Sequence, residues 1–255
     1  MQPAMRRYRF RPSLIPTLAL LLLVPILAAL GFWQLDRAEQ KRAIQQEYDR
    51  RSQDAHAQIG GRIQQAEDLR FYRVIAQGTY EPQYQVLIDN RVHHGRAGYH
   101  VITPLRIVGS DVRVLVNRGW IPLGRTRDEL PRFDTPEGVQ KVTGVATVPR
   151  AKVFTLAETA PITGQWELLW QHVDMRRYAD AVPFSVQPVV ILLDPDNPSG
   201  GFVREWARLD AGIAVHQGYA VQWFALAAAL IVIYIVVNLR RSDDNSNRPE
   251  HAKTP

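Results

Sequence analysis

VHQGYAVQWFALAAALIVIYIVVNL, residues Val215–Leu239, decides how the rest of the chain is read. Between Tyr219 and Val237 its only strongly polar side chain is Gln222. About 20 predominantly apolar residues suffice to cross a bilayer as a helix. The stretch therefore reads as a membrane span, entered through a polar and aromatic segment containing His216, Gln217, Tyr219, Gln222 and Trp223.

A second apolar stretch lies at the other end of the chain. Arg6, Arg7, Arg9 and Arg11 precede Leu14 to Trp33, which contains Pro16 and Pro25. Its apolar core exceeds the roughly 7 to 15 residues of a secretory signal, and Leu30 follows Ala28 and Ala29 where an Ala-x-Ala exit would stand. It reads as an uncleaved first span. Pro16 falls in the first turns, and Pro25 kinks rather than abolishes a membrane helix.

Lysine and arginine near the spans set the orientation. Within about ten residues of them, the terminal sides carry Arg6, Arg7, Arg9, Arg11, Arg240, Arg241 and Arg248, and the inner flanks only Arg37, Lys41 and Arg42. A window of roughly twenty residues adds Lys253 on the terminal side and Arg50, Arg51, Arg204 and Arg208 on the inner side, so the bias is short-ranged. It predicts both termini in the cytoplasm and the long connection in a periplasm or its organellar equivalent. A net charge of +6 over 255 residues is thereby assigned to membrane lipid rather than to nucleic acid. The absence of cysteine excludes disulfides, thiolate catalysis and cysteine-bound zinc or copper.

Between the spans, Asp36 to about Ala57 reads as a mostly solvated helix continuing out of the membrane and ended by Gly60 and Gly61. Beyond Leu69 the period falls to two, with Tyr72, Val74, Ala76, Gly78 and Tyr80 on one face. Comparable runs follow at Gln85–Asp89, Tyr99–Ile107, Val112–Asn117, Gln140–Val148 and Val186–Leu193, separated by turn residues such as His94-Gly95 and Gly109-Ser110-Asp111. An antiparallel sheet, closed as a barrel or folded as a sandwich, fits this spacing. Val189–Leu193, apolar throughout, is expected to be buried on both faces. Asp174 is placed to cap a short helix reaching about Ala181, with Pro183 ending it. The fold class is thus membrane α+β: residues 1–13 a cytoplasmic N-terminus, 14–33 the first span, 34–218 a periplasmic β-rich domain with a helical extension over 34–58, 219–239 the second span, and 240–255 a disordered cytoplasmic tail.

The candidate site starts at His216. Tyr219, Ala220 and Trp223 follow it by three, four and seven residues and share its helix face. Two readings stay open: His216 as an imidazole ligand to a haem iron with Tyr219 and Trp223 packing on the macrocycle, or a belt of His, Tyr and Trp at headgroup depth. Asn117-Arg118-Gly119-Trp120 closes a strand, either as a structural corner or with Arg118 gripping a carboxylate such as a haem propionate. His93 and His94 are adjacent in a turn, where their side chains are expected to diverge into solvent rather than share a metal. Neither a zinc-protease, serine-hydrolase, phosphate-loop nor dinucleotide motif occurs, and no spacing selects a catalytic triad. The residues thus support no enzyme.

Five blocks in order resemble the Surfeit locus protein 1 family, assembly factors for haem-copper cytochrome c oxidase. They are Gly31-Phe-Trp33-Gln34-Leu-Asp-Arg37 with Lys41, Leu87-Ile-Asp89-Asn90-Arg91, Gly98-Tyr-His-Val-Ile-Thr103-Pro104-Leu105, Val114-Leu-Val-Asn117-Arg118-Gly119-Trp120-Ile121-Pro122, and His216-Gln-Gly-Tyr219-Ala220-Val-Gln222-Trp223-Phe224. The segment Asp128–Gln165 matches only loosely. The resemblance implies a two-pass inner-membrane chaperone with no enzymatic activity of its own, working with the oxidase catalytic subunit and the haem a synthesis machinery. It also implies a haem-iron ligand at the start of the second span, which by position is His216; Tyr219, Trp223 and Arg118 remain candidate haem a contacts on the residue reading above. The competing expectations are a two-span sensor or scaffold whose external domain binds a small ligand or partner without haem, and a tethered hydrolase using Asp89, Asp111 or Glu129. The first of these lacks an evident signalling segment after Leu239, and nothing orders the carboxylates of the second.

Overall fold

A computed structural model describes residues 8–53, 56–124, 130–149, 166–206 and 212–241. In chain order the elements are β1 (Tyr8–Phe10), α1 (Leu14–Gln53), β2 (Ala57–Gln58), α2 (Ala66–Leu69), β3 (Arg73–Tyr80), β4 (Val86–His93), β5 (Arg96–Ile107), β6 (Val112–Pro122), β7 (Val139–Thr147), β8 (Leu169–Trp170), α3 (Met175–Ala181), β9 (Ser185–Leu193), α4 (Ile213–Asn238) and β10 (Leu239–Arg241). The chain forms two compact units, Met1–Ile44 with Leu209–Pro255, and Gln45–Arg208.

The first unit is an antiparallel helix pair. α1 and α4 are both long and apolar enough to cross a membrane. Their contacts run in opposite chain directions. At one end the Ser13 backbone N–H donates to Asn238 Oδ1 at 2.9 Å, and Thr17 Oγ1 meets the Tyr234 hydroxyl at 2.8 Å. Further along, the Phe32 and Phe224 rings meet edge to face at 5.2 Å, and Gln34 faces His216. Gly31 lies under the Phe224 ring, where an added Cβ would come within 2.7 Å, so a residue without a side chain sets the approach of the two helices. Seventeen residue steps in α1 from Thr17 to Gln34 and eighteen in α4 from His216 to Tyr234 cover about 26 and 27 Å at the α-helical rise, and this near-equality keeps the pair in register. β1 and β10 pair antiparallel, Phe10 opposite Leu239, joining the chain just before α1 to the chain just after α4. Most other apolar side chains of the pair, including Leu18, Leu21, Leu22, Val221, Val232 and Val236, point outward, as expected of helices solvated by lipid.

The second unit is built on an eight-stranded sheet in the order β2-β3-β7-β9-β6-β5-β4-β8. An additional β3–β5 pairing, Gly78 opposite Ile107 through Tyr80 opposite Leu105, closes β3, β7, β9, β6 and β5 into a ring. The barrel is thus realised. Gly78 allows that closure: a Cβ there would lie 2.2 Å from the Arg106 carbonyl oxygen. Val74, Ala76, Leu105, Val114, Val116, Val142 and Ile191 fill one core. Leu115, on the opposite face of β6, joins Val86, Ile88, Trp170, Tyr178 and Val190 in a second. β6 and the apolar end of β9 are therefore buried on both faces.

Three details depart from the expected architecture. The sheet is mixed, because β2–β3, β4–β8 and β6–β9 pair parallel. The long connection from β6 to β9 lets β9 return in the same direction, which a hairpin cannot do. The helix expected to end near Ala57 ends at Gln53, and Ala57–Gln58 instead add a strand beside Val74 and Ile75. α4 begins at Ile213, six residues before the span expected from 219, so His216 already lies in helix. Asp174 caps α3 as expected, its Oδ1 accepting from the Arg176 and Arg177 backbone N–H groups at 3.0 Å. The N-terminal arginines Arg6 and Arg7, Glu129 and the tail beyond Arg241 lie outside the described residues, as does much of Asp128–Gln165.

Candidate functional site

His216 sits in the first turns of α4, which starts after Gly212 at φ 103°; the His216 backbone N–H donates to the Gly212 carbonyl at 3.1 Å. Its Nδ1 lies 2.7 Å from Gln34 Oε1 of α1. With that oxygen accepting, Nδ1 carries a proton, and the neutral form of the ring then has its lone pair on Nε2, the arrangement by which a metal-ligating imidazole is usually oriented. Sequence reasoning missed Gln34 as a partner, although it stands in the Gly31–Arg37 block. Its signal was a polar side chain three residues past Gly31, on the face that meets α4.

The stripe named from spacing divides. Ala220 and, one heptad on, Ala227 are buried, at 1% and 7% exposure, on the face toward α1. Tyr219 is 49% exposed and Trp223 half-buried, so these rings flank the helix pair instead of filling its seam. His216, Tyr219 and Trp223 thus share one helix in the first unit, with an imidazole oriented from the neighbouring helix and aromatic surface beside it.

Arg118 belongs to the second unit, and its setting there is interior. The pairing of β5 with β6 passes from Val101–Gly119 to Ile102–Asn117, leaving Arg118 as the extra residue of a β-bulge. Gly119 adopts φ 124°, and Asn117 Oδ1 accepts from its backbone N–H at 3.2 Å. The bulge turns Arg118 inward, to 0% exposure. Its guanidinium donates to Thr135 Oγ1 and the Asp134 carbonyl at 2.9 Å, and lies over the Tyr80 and Phe202 rings at 5.2 and 4.7 Å. Burial pushes its pKa down, partly offset by Tyr80. No carboxylate contacts it among the described residues, and the corner reading is the one these contacts fit.

The same bulge positions His100, across from Trp120. His100 Nδ1 accepts from Asn117 Nδ2 at 3.3 Å, and its ring meets Trp206 edge to face at 5.7 Å. Burial, with Arg91 adding to it, lowers the His100 pKa to about 4. An open cleft of about 690 Å³ beside this corner is lined by Tyr48, Arg73, Asp194, Arg204 and Trp206 among others. Arg73 and Asp194 are ion-paired at 2.6 Å. His93 and His94 do not diverge as expected: their rings lie 4.2 Å apart.

Two paired membrane helices with a histidine held by a glutamine of the partner helix, carrying a small closed β-barrel between them in sequence, define a two-pass membrane α+β protein. The chain belongs to the SURF1 family, whose profile matches residues 21–228. It is 25% identical over 224 residues to a SURF1-like protein of Rickettsia felis, covering 86% of this chain and 95% of that one. To Surfeit locus protein 1 of Homo sapiens it is 24% identical over 237 residues, covering 86% and 77% respectively. The corresponding protein of Xenopus tropicalis is 23% identical over 243 residues, covering 87% and 76%.

Proposed function

We propose that this protein is a non-enzymatic assembly factor for haem-copper cytochrome c oxidase, and that His216 holds or shields haem a on its way to the catalytic subunit. Family membership supports the first part. The second rests on one observation: the 2.7 Å contact of His216 Nδ1 with Gln34 leaves Nε2 as the coordinating atom. The residues fit a haem in chemistry as well. A neutral imidazole is a haem-iron ligand, and Tyr219 and Trp223 offer flat apolar surface on the same helix. Bound there, haem a would supply an iron that His216 ligates. The chain's own contribution is to orient the imidazole through Gln34 and to keep the macrocycle in an apolar setting. Arg118 enters this reading as the residue that fixes the barrel corner. In this reading both termini lie in the cytoplasm of a two-pass inner-membrane protein and the barrel in the periplasm, which the arginines flanking the spans support. The partners are the oxidase catalytic subunit and the enzymes that make haem a.

The test is an absorption spectrum of the protein purified from cells making haem a, for the wild type, His216→Ala and Gln34→Leu. The wild type is expected to carry haem a, His216→Ala to lose it, and Gln34→Leu to retain it about tenfold more weakly, the lower end of the usual cost of losing a ligand-orienting partner. A wild type without haem a, together with normal oxidase maturation in cells carrying His216→Ala, overturns the haem assignment and leaves a scaffold.

A further inference from the structure

His93 ends β4 opposite Arg96 of β5, and His94 and Gly95 form the two-residue hairpin between them. Both central residues have positive φ, His94 at 46° and Gly95 at 76°, as a type I′ turn requires. In an extended strand neighbouring side chains point to opposite faces. The left-handed backbone at His94 breaks that alternation and swings its imidazole beside that of His93, ring centres 4.2 Å apart.

A carboxylate is brought to this pair by a different part of the chain. Trp120 exchanges two backbone hydrogen bonds with Val203, at 2.7 and 3.1 Å, while its indole N–H donates to the Arg91 carbonyl at 2.8 Å. One residue thus ties both the hairpin and the segment around Val203 to β6, and its ring also lies against His93 at 5.1 Å. On either side of Glu205 the chain is pinned: the Arg204 guanidinium donates to the Asp194 carbonyl at 2.9 Å, and the Trp206 indole N–H to the Leu193 carbonyl at 2.9 Å. Glu205 is left projecting toward the histidines. Its Oε2 lies 3.3 Å from His94 Nε2 and 4.0 Å from His93 Nε2. One ligand atom from each of the three residues lies within 4.8 Å of the other two.

We infer that His93, His94 and Glu205 form a binding site for a divalent transition ion of the Zn²⁺ or Cu²⁺ kind. A tetrahedral ion with ligands about 2.0–2.2 Å away separates them from one another by about 3.3–3.6 Å; His94 and Glu205 already stand 3.3 Å apart, and the other ligand atoms lie within 4.8 Å, so side-chain adjustment of about an ångström completes the set. Two imidazoles and one carboxylate select a borderline transition ion over Ca²⁺ or Mg²⁺, which take oxygen ligands. The set leaves a coordination position toward solvent, since the His94 and Glu205 side chains are 76% and 67% exposed. Without an ion the same atoms form a histidine–glutamate contact across Nε2 and Oε2, so the two accounts differ in what they do with metal. The site stands apart from the haem reading, because its three residues all belong to the second unit.

The experiment uses the full chain in detergent, purified without a histidine tag, stripped with a chelator and titrated with Zn²⁺ against a chromophoric chelator. The titration is run in a His216→Ala background, so that neither haem nor the membrane histidine contributes. One equivalent of Zn²⁺ is expected to bind, Ca²⁺ and Mg²⁺ in excess leave it in place, and Cu²⁺ at the site shows imidazole nitrogen couplings in its paramagnetic resonance spectrum. His94→Ala and the isosteric Glu205→Gln are each expected to weaken Zn²⁺ binding at least about tenfold, since even a lost outer-shell partner has this effect. His56→Ala, at a histidine outside the cluster, leaves it unchanged. Absence of a stoichiometric site, or equal affinity in Glu205→Gln, His94→Ala and the parent, overturns the inference. Circular dichroism of each variant shows that the comparison is made between folded proteins.

Discussion

His100 shows how one side chain reports on the packing around it. Its Nδ1 accepts from Asn117 Nδ2, and the same Asn117 presents Oδ1 to the Gly119 backbone N–H, which fixes the amide in one orientation. A proton on Nδ1 would set donor against donor in a site that has already lowered the His100 pKa to about 4 by burial, with Arg91 adding to it. The unfolded chain therefore binds a proton near pH 6.5 that the folded barrel refuses until about pH 4. Because the unfolded state holds more protons in this window, stability is full above about pH 6.5 and falls as the pH drops toward 4. The ring is only half-buried, so the loss is on the order of 2 kcal/mol, below the full linkage value. Urea unfolding followed by tryptophan fluorescence at pH 7 and pH 4.5 is expected to show His100→Gln losing less stability than the wild type between the two pH values. Equal losses would show that carboxylates alone carry the acid sensitivity.

At the scale of elements, β6 and its bulge hold the corner together. Gly119 combines φ 124° with an approach so close that an added Cβ would meet the Val203 carbonyl oxygen at 2.6 Å. That oxygen is fixed by its bond to the Trp120 backbone N–H and has no room to retreat. Gly119→Ala is therefore expected to cost about 2–3 kcal/mol in urea unfolding, from left-handed strain and the loosened Trp120–Val203 bridge. Gly60→Ala, where nothing lies within 4 Å, should stay within about 0.5 kcal/mol of the wild type. If both variants unfold alike, the close approach does not matter. The strands themselves were legible in sequence, because alternation over β3, β5, β6 and β7 reflects which side chains face a core. Their closure was not. It depends on a three-residue β3–β5 register and on β9 returning parallel to β6, and these pairings join residues far apart in the chain. The convergence of His93 and His94 was hidden for a related reason: it arises from a positive φ that a histidine adopts only in the context of its turn. His216 was legible from its position at the mouth of an apolar run, but Gln34, its partner, required the register of the helix pair.

For the whole molecule, that register constrains topology. Ser13 meets Asn238 at one end of the pair and Gln34 meets His216 toward the other, so the chain enters α1 and leaves α4 at the same end. β1 and β10 repeat the statement by pairing Tyr8–Phe10 with Leu239–Arg241. In the proposed two-pass arrangement, the helix ends marked by Ser13 and Asn238 therefore lie on one side of the membrane, whatever its absolute orientation. In the proposed orientation, drawn from the arginine bias, that side is the cytoplasmic one. Since the chain has no cysteine, every introduced one is a clean reporter. Val108→Cys, at a position 57% exposed in the barrel unit, and Lys253→Cys, in the C-terminal segment, are to be treated with a membrane-impermeant maleimide in spheroplasts. Val108→Cys is expected to react in intact spheroplasts, and Lys253→Cys only after the membrane is broken. The reverse pattern would invert the protein and place His216 on the cytoplasmic face. Labelling of both before lysis would mean that the two helices do not span the membrane as an antiparallel pair.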